Sequence, residues 1–222
     1  MKKMTKKLNY AVMLLMLASF SLSAGAQIKQ SAPSLKEVTL SVSLNGKNFQ
    51  DSLVELSRKY KVPIGFQVTD NVEPDVCSQK FDMQFEESSI ERIMSRLITT
   101  CPVYSWAIFD ETINVFPAAK ERSLLDAVVN SISIESKSSD EILNRLFELE
   151  EIENTLENCG LTRDTTTSSL QGEPKQSPKL SFVLKNKSVR EIMNHLLIST
   201  NENAWIYYRL SNDKRLFSLR FF

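Results

Sequence analysis

One histidine, three cysteines and five glycines among 222 residues leave little material for catalysis. No stretch matches a glycine-rich phosphate loop, HExxH or GxSxG. Cys77, Cys101 and Cys159 have the spacing of neither a zinc site nor a CxxC redox pair. No run of apolar residues reaches the roughly 18 that a membrane-spanning helix needs. The charges also balance, with 27 Lys and Arg against 27 Asp and Glu, which argues against the concentrated basic face that phosphate binding needs. These absences argue against an enzyme, a resident metal or cofactor, and a nucleic-acid partner.

What the chain does have is an export pattern. Lys2, Lys3, Lys6 and Lys7 precede an apolar core at 10–22, and Ala24, Gly25 and Ala26 supply small residues for cleavage. Residues 1–26 are therefore expected to be a signal peptide, with the mature chain starting at Gln27, periplasmic and without a membrane span. The mature balance is 23 minus 27, or −4, over 222 minus 26, or 196, residues. That length suits two small domains.

The chain also repeats itself. Phe81, Met83, Phe85, Ile93, Met94, Leu97, Ile98 and Trp106 recur 99 residues later as Leu180, Phe182, Leu184, Ile192, Met193, Leu196, Leu197 and Trp205. A shared helical period is common. A shared preceding strand and following tryptophan in the same register are not, and they identify an internal duplication. Upstream the offset is 90: Val42, Leu44, Leu53 and Leu56 match Ile132, Ile134, Leu143 and Leu146.

Alternation at Leu40, Val42 and Leu44 predicts a strand, Asn45-Gly46 a turn, and Asn48 an N-cap with Asp51 three residues on. Phe49, Leu53, Leu56 and Tyr60 give the helix its apolar face. Strands at 63–68 and 81–85, a helix from about 89 to 100, and a hairpin at 104–116 complete a βαββαββ module over 39–118. Residues 27–38 read as a flexible lead-in. The second module, 119–222, opens with a strand at 124–134. One long helix then follows from Ser138, capped with Glu141 and ending at Gly160. A polar insert at 162–179 takes the place of the short strand. After it come a strand, a helix from Ser188, and a hairpin of 204–210 with 216–221. The fold class is α+β, with helices on short mixed or antiparallel sheets. Two capping boxes compete for the second helix: Ser188 with Glu191 implies Ser88 with Glu91, an offset of 100, whereas the apolar residues give 99.

Residues 48–56, Val62-Pro63-Ile64-Gly65-Phe66, the strand at 81–85, the helix at 90–97 and the hairpin resemble the secretin and TonB short N-terminal domain. Residues 180–191 are similar to that family's second half. The resemblance implies a small α+β fold and a periplasmic role in protein–protein contact, with an envelope secretion, transport or signalling assembly as partner.

Three thiols allow three single pairings. Cys77–Cys101 is favoured because both fall at the ends of neighbouring elements in the first module; three buried, unpaired cysteines are the alternative. His195 aligns with Arg96 beside an apolar stripe and reads as a solvated or partly packed side chain rather than a catalytic base. Glu148, Glu150, Glu151, Glu153 and Glu157 read as a solvated helix face. Glu148, Glu151, Arg220 and Phe222 are candidate partner-binding residues, and the C-terminal strand a candidate edge for strand addition. Trp106 and Trp205 are expected to pack against the helices. In the alternative reading, a glycan- or peptidoglycan-binding module, they would stack on sugar.

Overall fold

A computed structural model describes residues 34–68, 77–119, 123–164, 178–200, 202–210 and 213–221. The signal segment, residues 27–33 of the lead-in, residues 165–177 of the insert, and Phe222 lie outside them. The fold is α+β, and one element order appears twice, the second time with its first helix replaced by two. First come β1 (Thr39–Lys47), α1 (Phe49–Tyr60), β2 (Ile64–Gln67), β3 (Phe81–Ser89), α2 (Ile90–Ile98), β4 (Tyr104–Phe109) and β5 (Thr112–Pro117). Then follow β6 (Val128–Lys137), α3 (Ser139–Phe147), α4 (Glu150–Cys159), β7 (Thr162–Arg163), β8 (Leu180–Ser188), α5 (Val189–Thr200), β9 (Ala204–Leu210) and β10 (Asp213–Phe221). No helix among the described residues is long and apolar enough to cross a membrane.

The duplication extends to backbone detail. Ser89 caps α2 by accepting the Arg92 N–H, and Ser188 accepts the Glu191 N–H while Glu191 accepts from the Ser188 backbone. The caps are 99 apart, so they follow the buried residues and not the Ser88–Glu91 pairing. Asn45-Gly46 is not a turn. Gly46 adopts φ 64° at a bulge inside β1, where its N–H donates to Asp82 Oδ1 at 2.7 Å. Ser136 repeats this in β6 with φ 52° and an N–H to Ser181 Oγ at 2.9 Å. Glu87 and Asn186, 99 apart, also share positive φ. A bulge needs a residue that tolerates this conformation, and the two copies meet the need with different side chains.

Other expectations are corrected. The lead-in is structured from Ser34: Leu35 is buried in the first core, and its N–H donates to the Glu111 carboxylate. The long helix is two helices, because Leu149 turns extended (φ −77°, ψ 136°) and restarts the chain. That break puts Glu150, Glu151 and Glu153 in the first turn of α4, where the helix dipole favours carboxylates. Gly160, at φ 61°, ends α4 as its position implies. The short strand exists after all, since Thr162 and Arg163 pair in parallel with β10.

β1 with β3, and β6 with β8, form two antiparallel ribbons. The remaining strands make one sheet in the order β4-β5-β2-β9-β10-β7. Each copy supplies a hairpin followed by its short strand, in the same order. Parallel pairing of β2 with β9 joins them, with Ile64, Gly65 and Phe66 opposite Ala204, Trp205 and Ile206. Side chains alternate across a strand, so the two cores lie on opposite faces of this sheet. Ala204 and Ile206 pack with the first core; Trp205 and Tyr207 belong to the second. Fully burying a side chain such as that of Ile64 stabilises by roughly 1.5–3 kcal/mol.

Cys77, just before β3, and Cys101, just after α2, stand at disulfide distance, with Cα atoms 5.0 Å apart. Cys159 is a free, partly exposed thiol.

Candidate functional site

Strand β4 is one edge of the six-stranded sheet, and β7 is the other. The C-terminal strand β10 lies between β9 and β7, but β7 covers only Leu216 and Phe217, and no described strand pairs with 218–221 on that side. Phe217 and Leu219 on β10 are buried, which makes it a core strand.

The direction of each backbone group along β4 follows from one hydrogen bond. The Ala118 N–H donates to the Val103 carbonyl at 2.8 Å, so Val103 faces β5. Direction alternates along an antiparallel strand. Ser105, Ala107 and Phe109 therefore also face β5, and Trp106 and Ile108 turn their N–H and C=O groups away from it. No described strand lies beyond them. Pro117 sits opposite Tyr104, on the side of the alternation that asks no N–H of it. From Tyr104 to Phe109 the strand carries no charge and no proline, the usual guards on an edge. Phe109, at its end, is 45% exposed.

Two grooves flank the sheet, one on each face, where a helix of one copy overhangs strands of the other. On the first face, α1 and strands β2, β9 and β10 enclose about 320 Å³, floored by Ile64, Phe66, Ala204 and Ile206. Arg58 and Arg220 also line it. Arg220 lies 5.1 Å over the Tyr208 ring, and its buried Nε has no partner among the described residues. On the other face, Gln67, Phe109, Phe116, Asp126 and Arg190 line about 290 Å³. Arg190 donates to Gln67 Oε1 at 2.7 Å, is paired with Asp126 at 3.5 Å, and sits 5.6 Å from the Phe116 ring. Burial lowers its pKa and Asp126 raises it, with burial prevailing.

The residues singled out from sequence do not converge on one site. Glu148 pairs with Arg145 at the end of α3, and the Glu151 carboxylate accepts the Asn130 N–H at 3.3 Å, tying α4 to β6. Arg220 lines the first groove instead. Trp205 is 0% exposed, with Nε1 donating to Asn194 Oδ1 at 2.9 Å, so neither ring face is open to a sugar. The Asn194 amide continues to the Phe109 carbonyl, linking α5 to the first hairpin. Trp106, its counterpart, is only partly buried at the margin of the first core. Among the described residues no group of three or more His, Cys, Asp and Glu is placed to hold a metal.

His195 meets the Phe182 ring edge-on at 4.9 Å between centroids. Burial lowers its pKa below 6.5, with Asp110 opposing this and Lys187 adding to it. The unfolded chain therefore takes up the proton first as pH falls below 6.5. Stability should decline from that point and level off once the folded pKa is passed. Denaturant midpoints from pH 7.5 to 5 should show this slope, and His195→Gln should flatten it.

Family models, curated proteins and solved structures offer no match to this chain.

Proposed function

We propose that this protein is a non-enzymatic periplasmic interaction module of the secretin and TonB short N-terminal kind. It serves an envelope secretion, transport or signalling assembly and takes a partner segment along β4 by strand addition. The observation that carries the reading is the uncharged β4 edge, where Trp106 and Ile108 present unguarded backbone groups. The export pattern at 1–26, the cysteine pair and the repeated βαββαββ order support the compartment and the family resemblance. The glycan-binding alternative has lost Trp205 to the core and keeps only Trp106.

A photo-crosslinking residue at Phe109, the exposed end of β4, tests this in intact cells. An envelope protein should be captured, and Ile108→Pro should cut the yield at least tenfold. That change removes an outward N–H while leaving the ladder to β5. Ser105→Lys, which guards the edge without touching the backbone, should act the same way. Capture of no envelope protein above background, or a yield that both variants leave intact, would sink the proposal.

A further inference from the structure

The molecule contains an occupied version of its own empty edge. With the 99-residue offset, Ser105, Trp106, Ala107, Ile108 and Phe109 of β4 correspond to Ala204, Trp205, Ile206, Tyr207 and Tyr208 of β9. Each is the first strand of its hairpin, and each has its hairpin partner on one side only. The backbone phases agree as well. The carbonyls of Asn203 and Tyr207 accept from Ile64 of β2 and from Val68 just after it, so residue 205 faces the same way. The counterparts of 205 and 207 are Trp106 and Ile108, the two residues of β4 that face outward.

On β9 the outer position is filled by β2, running parallel. Its selectivity is legible. Gly65 lies opposite Trp205, and a Cβ there would fall 2.2 Å from Trp205 Cζ2. Only glycine lets the indole lie across the neighbouring strand. Ile64 and Phe66 point to the other face, opposite Ala204 and Ile206.

We infer that the segment accepted at β4 runs parallel to it and places a glycine, flanked by apolar residues, opposite Trp106. The inference rests on reading β4 as the interaction edge, and it names the partner's chemistry: an uncharged extended segment of the apolar–Gly–apolar type. The flanking side chains would meet Ser105 and Ala107, both small, so the face they enter has more room than at β9. The ring of Trp106 is still partly exposed, whereas that of Trp205 is fully covered. A strand over Trp106 would complete the burial that β2 and α5 give its counterpart. Asp110 and Glu111 in the adjoining turn disfavour an acidic segment.

The test uses β2 itself as the probe: a synthetic peptide of residues 62–68 with blocked ends, titrated into the full chain. Trp205 is already buried, so a blue shift reports on Trp106. The expected result is a saturable shift, at least tenfold weaker when valine replaces the peptide's glycine. The peptide of reversed sequence should be weaker by a similar factor, because the pairing is parallel. Ser105→Lys and Ile108→Pro in the protein should each abolish the shift. No saturable binding, or equal binding of the glycine and valine peptides, overturns the inference. If envelope capture at β4 persists in that case, the interaction edge stands and only the partner chemistry is wrong. If capture fails too, both readings fall.

Discussion

Gly65→Val should cost about 3 kcal/mol or more, enough to remove much of a typical domain's stability. The cause is steric and local. The added Cβ would sit 2.2 Å from Cζ2, 2.3 Å from Cε2 and 2.8 Å from Nε1 of Trp205, well inside van der Waals contact. Flexible side chains relieve such clashes by rotating, but this one cannot. The indole is fully buried among α5 and the second core, and its N–H is held by Asn194. Moving it would break a buried hydrogen bond and leave a donor unpaired, itself worth about 1–3 kcal/mol. The alternative is to push β2 off β9, which opens the only parallel pairing between the two copies among the described strands. Overpacking alone usually costs 1–3 kcal/mol, and here it is compounded by the hydrogen bond. Gly65→Ala should act in the same direction with a smaller loss. Denaturant midpoints measure both, and near-UV circular dichroism should report the displaced indole. Combining Gly65→Val with Trp205→Leu should cost less than the two losses summed, because the clash disappears with the ring. A Gly65→Val protein with an unchanged midpoint would show that the two strands do not meet as described.

The junction explains why the sequence gives up its modules more readily than their union. The periodicity of Ile93, Met94 and Leu97, and of Ile192, Met193 and Leu196, reports which face of α2 and α5 is buried, so the copies stand out. How the copies meet depends on Gly65 and Trp205, 140 positions apart, and no local period encodes that. One signal was present. Ala204-Trp205-Ile206-Tyr207 is apolar at every position, and all four residues of β2 are buried. Continuous apolar runs mark strands covered on both faces, as at the centre of a parallel sheet. The same signal separates β9 from β10, where Phe217, Leu219 and Phe221 alternate with polar neighbours. The helix break at Leu149 left no such trace, because Ile152 and Leu156 continue the apolar spacing across it. As for the site, the sequence points to strand edges in general and, by chain position, to β10; that β4 is an edge shows only in the order of the strands.

Removing the Cys77–Cys101 link should lower stability by about 3.5 kcal/mol under oxidising conditions. The chain-entropy account gives this value for a loop with a sequence separation of 24, since the link excludes many open conformations of the unfolded chain. Cys77→Ala is the cleaner variant, because Cys101 is fully buried and its loss would add a cavity term. Reductant should lower the wild-type midpoint to near that of Cys77→Ala and leave the variant unmoved; a wild-type midpoint insensitive to reductant would rule the link out. The effect should also reach the proposed interaction edge. The Cys101 carbonyl accepts the Tyr104 N–H at 3.2 Å, so the residue that carries the link also holds the first residue of β4. The backbone amides of Trp106 and Ile108 should therefore exchange hydrogen faster once the link is cut, while those of β9, anchored on β2, should hardly change. If those amides do loosen, pairing at β4 would weaken wherever such links cannot form, which would tie the compartment proposed for this protein to the strand proposed to do its work.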